Sequence, residues 1–172
     1  MHAITLWQPW SSLIAHSVKT LETRSWAPPR ALIGQRIAIH AAKKFTRQMA
    51  EDIVGDEYVM RKEDDPTWQP TKPSDFSPLH LATLRCGYNP MELLPLGCVV
   101  ATAILAGYAP TDSDKVRDYL RDHPDEHHYG DFSRGRFAWR LIQVERLTVP
   151  IPAKGGQGFW HWDAPDGLDV AA

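Results

Sequence analysis

The run from Cys98 to Leu105 is apolar except for Thr102 and rich in β-branched residues. Within Gly97–Ala106 that composition and length read as a central β-strand. A second segment, Phe137 to Val144, sets Phe137, Trp139 and Leu141 against Ala138, Arg140 and Ile142. This period of two predicts a strand with two unlike faces. Arg36–His40 alternates likewise, with Ile37 and Ile39 on one face and Ala38 and His40 on the other. Ala3–Leu6 and Leu21–Arg24 add two short strands. Helices are expected from Pro9, over Thr46–Tyr58, from Ser77-Pro78 through Leu81 and Leu84, and over Asp112–Arg121, with a single turn at Asn89-Pro90. The signals are a capping hydroxyl or amide, a first-turn proline and apolar residues at helical spacing. Five or six short strands without regular crossover helices favour an α+β fold, a small mixed β-barrel with peripheral helices, over a doubly wound sheet.

The chain of 172 residues is read as one domain. Its 43% apolar content suits a globular core, and seven tryptophans exceed ordinary need, so some are candidates for stacking on flat ligands. The net charge of −2 does not announce a nucleic-acid binder. The distribution is less neutral. Seven basic residues face one acid, Glu22, between Lys19 and Arg47, and seven acids face two bases between Glu51 and Asp65. Residues 61–78 are charged and proline-rich and read as a surface excursion. Cys86 and Cys98 lack CxxC spacing and are expected as reduced thiols in the cytoplasm. No signal peptide or membrane span is read. His123, His127 and His128 lie among acids, but their spacing fits no zinc site and a proline interrupts them, so a polar loop without metal is expected. GxxxxGK[ST], GxSxG and HExxH are all absent.

Chemistry concentrates in Lys19-Thr-Leu-Glu22-Thr-Arg24, flanked by Trp10 and Trp26. On a strand, Glu22 and Arg24 share a face, and Lys19 in the preceding turn can swing to it. The same spacing also suits a solvated face with weak ion pairs. If the three converge, Lys19 and Arg24 can meet a phosphate or a developing oxyanion, and Glu22 can accept from an amino group or orient Lys19. Arg24 would lower the Lys19 pKa and Glu22 would raise it, and spacing does not decide between them. Trp7, Trp26, Phe159 and Trp160 are candidate stacking walls, with core packing the plainer role for Trp7. Gly155-Gly156-Gln157-Gly158 lets backbone approach closely beside the last two rings.

Ile4-Thr-Leu-Trp-Gln-Pro-Trp10, the Lys19 stretch, Ile37-Ala-Ile-His-Ala-Ala-Lys-Lys44 and the closing Gly156-Gln-Gly-Phe-Trp160 together resemble an ASCH domain of the bacterial and prophage type. The family signature Gly-x-Lys-x-x-Glu-x-Arg reads here as Ser17-Val-Lys19-Thr-Leu-Glu22-Thr-Arg24, so serine replaces the signature glycine. The resemblance implies a single PUA-like barrel over 1–172, with a variable helical and loop insertion at about 46–96. It also implies a cleft that holds the signature residues and binds single-stranded RNA, a nucleotide or a nucleoside. Lys19, Arg24, Trp26, His40, Lys43, Lys44, Phe159 and Trp160 are the expected binding residues. Some relatives are ribonucleases, others N4-acylcytidine amidohydrolases, and a metal-independent hydrolase would use Lys19, Glu22 and Arg24 as catalytic residues without a cofactor. The amidohydrolases carry a threonine three positions after the lysine, where this chain has Glu22, and a distant glutamate that the Gly97–Ala106 strand does not supply. A third reading is a protein-interaction domain that docks a protein partner through the acidic Glu51–Asp65 segment.

Overall fold

The computed structural model describes residues 1–54, 77–88, 94–169 and 171. Six strands form one curled sheet: β1 (His2–Leu6), β2 (Leu21–Arg24), β3 (Arg36–Ala41), β4 (Cys98–Pro110), β5 (Phe137–Pro152) and β6 (Phe159–His161). Their spatial order is β2-β5-β4-β3-β1-β6. β1 and β3 run parallel, and the other pairings among the described residues are antiparallel. Among the described residues four α-helices flank the sheet: α1 (Trp10–Ala15), α2 (Arg47–Val54), α3 (Pro78–Arg85) and α4 (Asp114–Asp122). The expected α+β fold is realised as a half-barrel, with β2 and β6 at the ends of the sheet.

Three register shifts interrupt the β4–β5 ladder, between Val99 and Ala101, Thr102 and Ile104, and Leu105 and Gly107. Each extra residue bends its strand and deepens the local twist, which curls the sheet. Gln143, in left-handed backbone at φ 47°, lies in the same region of β5. Arg36 braces this bend. Its Nη1 donates to Thr102 Oγ1 (2.9 Å) and Gln143 O (3.1 Å), and its Nη2 stands 3.1 Å from Glu145 Oε1.

The concave core contains Ile4, Leu6, Ile37, Ile39, Leu105, Trp139 and Leu141. A second cluster, on the other face, joins Ala3, Ala38, Val99, Leu147 and Trp162. The expected alternation in β3 and β5 is therefore the observed one. Ser77 caps α3 by accepting from His80 N (3.0 Å), and Ser113 caps α4 by accepting from Val116 N (3.4 Å).

Four expectations change. β5 continues past Val144 to Pro152, and β4 continues past Ala106 to Pro110, because bulges let both strands bend without losing pairing. The glycine-rich tail contributes β6, paired with β1. The histidine loop is a 3-10 turn, Pro124–Tyr129, that buries Glu126. Residues 55–76 and 89–93 lie outside the described residues, and with them the expected end of the helix to Tyr58, the Asn89-Pro90 turn and most of the acidic segment.

Candidate functional site

α1 ends by reversing the chain. Ser17 adopts φ 57°. Its N–H donates to Ile14 O (2.8 Å), while Val18 N and Lys19 N both donate to Leu13 O (2.9 and 3.1 Å). A left-handed residue past a helix end closes the last turn in this way. The reversal turns Lys19 inward, and its side chain is 1% exposed. Nζ donates to Leu21 O and to Tyr129 O (2.8 Å), and stands 3.6 Å from Glu22 Oε2. Three acceptors match the three donors of an ammonium. Burial pushes the Lys19 pKa below its ordinary value; Glu22 and Glu126 oppose that shift, and Arg24 adds to it. Of the two neighbours whose competition the sequence leaves open, Glu22 acts more strongly than Arg24, and desolvation outweighs Glu22.

Glu22 also holds Arg24, with Oε1 2.9 Å from Nε. Arg24 Nη2 donates to Thr5 O (3.0 Å). β6 pairs with β1 only from His2 to Ile4, so the Thr5 carbonyl lies beyond that ladder. Arg24 therefore ties β2 to β1 across the open seam of the half-barrel.

The facing wall is built on β2 as well. The buried Glu126 accepts from Thr20 N (2.5 Å), Thr20 Oγ1 (2.6 Å) and Leu21 N (3.4 Å). The same turn supplies the Tyr129 carbonyl that holds Lys19. Thr23 Oγ1 accepts from Asp131 N (3.0 Å), and Thr23 O accepts from Arg136 Nη2 (3.3 Å). Arg136 Nε in turn donates to Asp131 O (3.1 Å) and lies 3.2 Å from Asp131 Oδ2. Gly130 permits this approach: a Cβ there would stand 3.0 Å from Thr23 Oγ1 and 3.2 Å from a Phe132 ring carbon.

Between these walls lies a cleft of about 560 Å3. Lys19, Glu22, Arg24 and Trp26 line it, together with Trp7 and Trp10. Trp7 is 54% exposed, so it is a free ring at the rim and not the core residue that its apolar character suggests. Trp26 packs edge-on to Trp139 (4.6 Å between ring centres) and to Phe159 (5.8 Å). Phe159 stacks on Trp139 behind it, at 5.5 Å and 7° between planes.

The other expected binding residues lie outside the cleft lining. His40 is buried on the second face, its Nε2 3.1 Å from Ala153 O, and burial pushes its pKa down. A Cβ on Gly155 would stand 2.5 Å from His40 Cε1, so this glycine is what lets the tail cover the ring. Trp160 packs edge-on to His40 and donates from Nε1 to Thr5 Oγ1 (3.0 Å). Lys43 and Lys44 are exposed just past the end of β3. Conversely, Thr23, His128, Tyr129, Asp131 and Arg136 line the cleft without any local sequence signal. Arg136 sits one residue before the β5 segment paired with β2, and only that register brings it to the site.

No curated protein sequence matches the chain significantly. Among solved structures it is similar to the crystal structure of ASCH from Zymomonas mobilis, at 16% identity and a TM-score of 0.48, covering 94% of this chain and 87% of that one. Two point mutants of the same Zymomonas mobilis protein give 17% and 16% identity and TM-scores of 0.47, covering 94% of this chain and 88% and 90% of theirs. The sequence model of the ASCH domain matches residues 4–124, which include every signature position and most of the sheet. The chain belongs to the ASCH domain family.

Proposed function

We propose that the seam cleft binds single-stranded RNA or a nucleotide. The ASCH domain is a PUA-like fold generally linked to RNA binding, which supplies the class of ligand. The observation that carries the reading is the convergence of the Lys19–Glu22–Arg24 chain with Trp7, Trp10 and Trp26 around one cleft. Aromatic faces take bases by stacking, and a guanidinium donates to phosphate oxygens or to acceptors on a base edge. Lys19 has a supporting part. Its ammonium is occupied by three protein acceptors, so it holds Glu22 in place, and Glu22 aims Arg24.

Tryptophan fluorescence reads this cleft directly, since three indoles line it. Titration with a single-stranded RNA oligonucleotide is expected to change the emission saturably, with affinity falling as salt rises. Arg24→Ala is expected to weaken binding about tenfold or more, the equivalent of about 1.4 kcal/mol. Emission that changes with neither RNA nor mononucleotides would remove the reading.

A hydrolytic use of the same cleft is favoured by the buried Lys19–Glu22 pair in its lining, where Nζ stands 3.6 Å from Glu22 Oε2 and burial lowers the Lys19 pKa. A neutral amine hydrogen-bonded to Glu22 could serve as a base. Incubation with labelled RNA in the presence of chelator tests it. Cleavage should rise with pH through the lowered Lys19 pKa and vanish in Lys19→Met.

A further inference from the structure

The motif accounts for one wall of the cleft, and Arg136 dominates the other. Its position parallels that of Arg24. Both side chains are 27% exposed, and both line the same cleft. Each has a carboxylate in ion-pair contact beside Nε, Glu22 Oε1 at 2.9 Å for Arg24 and Asp131 Oδ2 at 3.2 Å for Arg136. Each is fixed at Nη2 by a backbone carbonyl, Thr5 O for Arg24 and Thr23 O for Arg136. Among the described residues neither Nη1 group has a partner. A guanidinium locked along one edge keeps a planar pair of donors on its far side, the geometry that meets phosphate oxygens.

Charge points the same way. The charged lining consists of Lys19, Arg24 and Arg136 against Glu22 and Asp131. Hydrogen bonds from Ser133 hold the Asp131 carboxyl below its ordinary pKa, so it stays ionised. With Lys19 as the ammonium held by its three acceptors, the lining has one positive charge more than its own carboxylates balance. A neutral nucleoside leaves that charge and both Nη1 groups unmatched, whereas a ligand with a phosphate group matches them.

We propose that Arg24 and Arg136 form a two-sided phosphate subsite, so that the cleft takes a phosphorylated nucleotide, free or within a strand, in preference to a nucleoside. This rests on the nucleotide-binding reading of the cleft and specifies its ligand class. Arg136 is the specificity-determining residue, and the base lies against the tryptophan wall.

The test compares the four ribonucleosides with their 5′-monophosphates by tryptophan fluorescence on the full chain, for the wild type, Arg136→Gln and Arg136→Lys. In the wild type at least one monophosphate is expected to bind about tenfold or more tighter than its nucleoside, the usual advantage of a charge-assisted contact. Arg136→Gln is expected to bring that ratio close to one. Arg136→Lys, which retains charge without the planar fork, should lower it severalfold and remains informative if the glutamine variant does not fold. Thermal midpoints establish which variants are folded. A ratio unchanged in a folded variant overturns the assignment of Arg136. Equal wild-type affinity for nucleoside and monophosphate overturns the phosphate subsite while leaving base binding intact. If neither class binds, this proposal falls, and the broader reading falls with it only if single-stranded RNA also leaves the emission unchanged.

Discussion

Ser17 occupies left-handed backbone, φ 57°, where the ASCH signature has glycine. An L-residue with a Cβ is disfavoured there by about 1–2 kcal/mol, while glycine loses more chain entropy on folding. The balance favours glycine, so Ser17→Gly should stabilise the fold by about 0.5–1 kcal/mol and raise the thermal midpoint by about 2 °C. A lowered midpoint would mean that the serine hydroxyl contributes more than the backbone strain removes. Lys19 is the opposite case. Lys19→Met keeps the volume but leaves Leu21 O and Tyr129 O without their donor and removes one partner of Glu22. Breaking a buried ion pair from one side costs about 3 kcal/mol, which lowers the midpoint by roughly 10 °C in a chain of this size. Lys19, Glu22 and Arg24 were legible in the sequence because six consecutive positions carry them. Arg136 and Asp131 were not, because their link to Thr23 spans more than a hundred residues and exists only through the β2–β5 register.

At the scale of elements, the Pro124–Tyr129 turn acts as a clamp on the entry to β2. Glu126 holds Thr20 and Leu21, and Tyr119 OH joins through Thr20 Oγ1 at 2.7 Å. Glu126→Gln keeps the shape but weakens the charge-assisted bonds and leaves an amide group to satisfy. It should cost about 1.5–3 kcal/mol, and hydrogen exchange at the Thr20 and Leu21 amides should accelerate more than in β4. Uniform acceleration across the sheet would instead show that Glu126 supports the whole fold without a local task. Strand interiors and a helix cap were readable because periodicity and capping chemistry are local, as at Ile37 and Ile39 and at Ser77. The reach of β4 and β5 was not, since bulges carry no periodic signal. A three-residue strand such as β6 is too short to have one.

For the molecule as a whole, His80 couples stability to pH. Burial in α3 pushes its pKa from 6.5 down to about 4, against a smaller opposing bond from the Val54 backbone. The unfolded chain takes up this proton near pH 6.5 and the folded one only near 4. Stability from the neutral ring is therefore complete above pH 6.5 and declines as pH falls towards 4, by about 3 kcal/mol at most. Urea unfolding between pH 7 and 4.5 should show this slope, and His80→Gln should flatten it. An equally steep slope in the variant would assign the acid sensitivity to other groups. No helix among the described residues is long and apolar enough to cross a membrane.

By itself the sequence determined the strand-rich composition of the sheet, the faces of β3 and β5, and a signature that brings an ammonium, a carboxylate and a guanidinium within six positions. Those properties depend on neighbours along the chain, where spacing converts directly into direction. The tertiary structure decided that Lys19 is buried and engaged, that Trp7 is free at the rim, and that a second guanidinium, Arg136, lines the same cleft as the first. Burial and long-range register depend on which surfaces the fold closes against each other. The half-barrel closes all but one seam, and the charged and aromatic side chains gather at that opening.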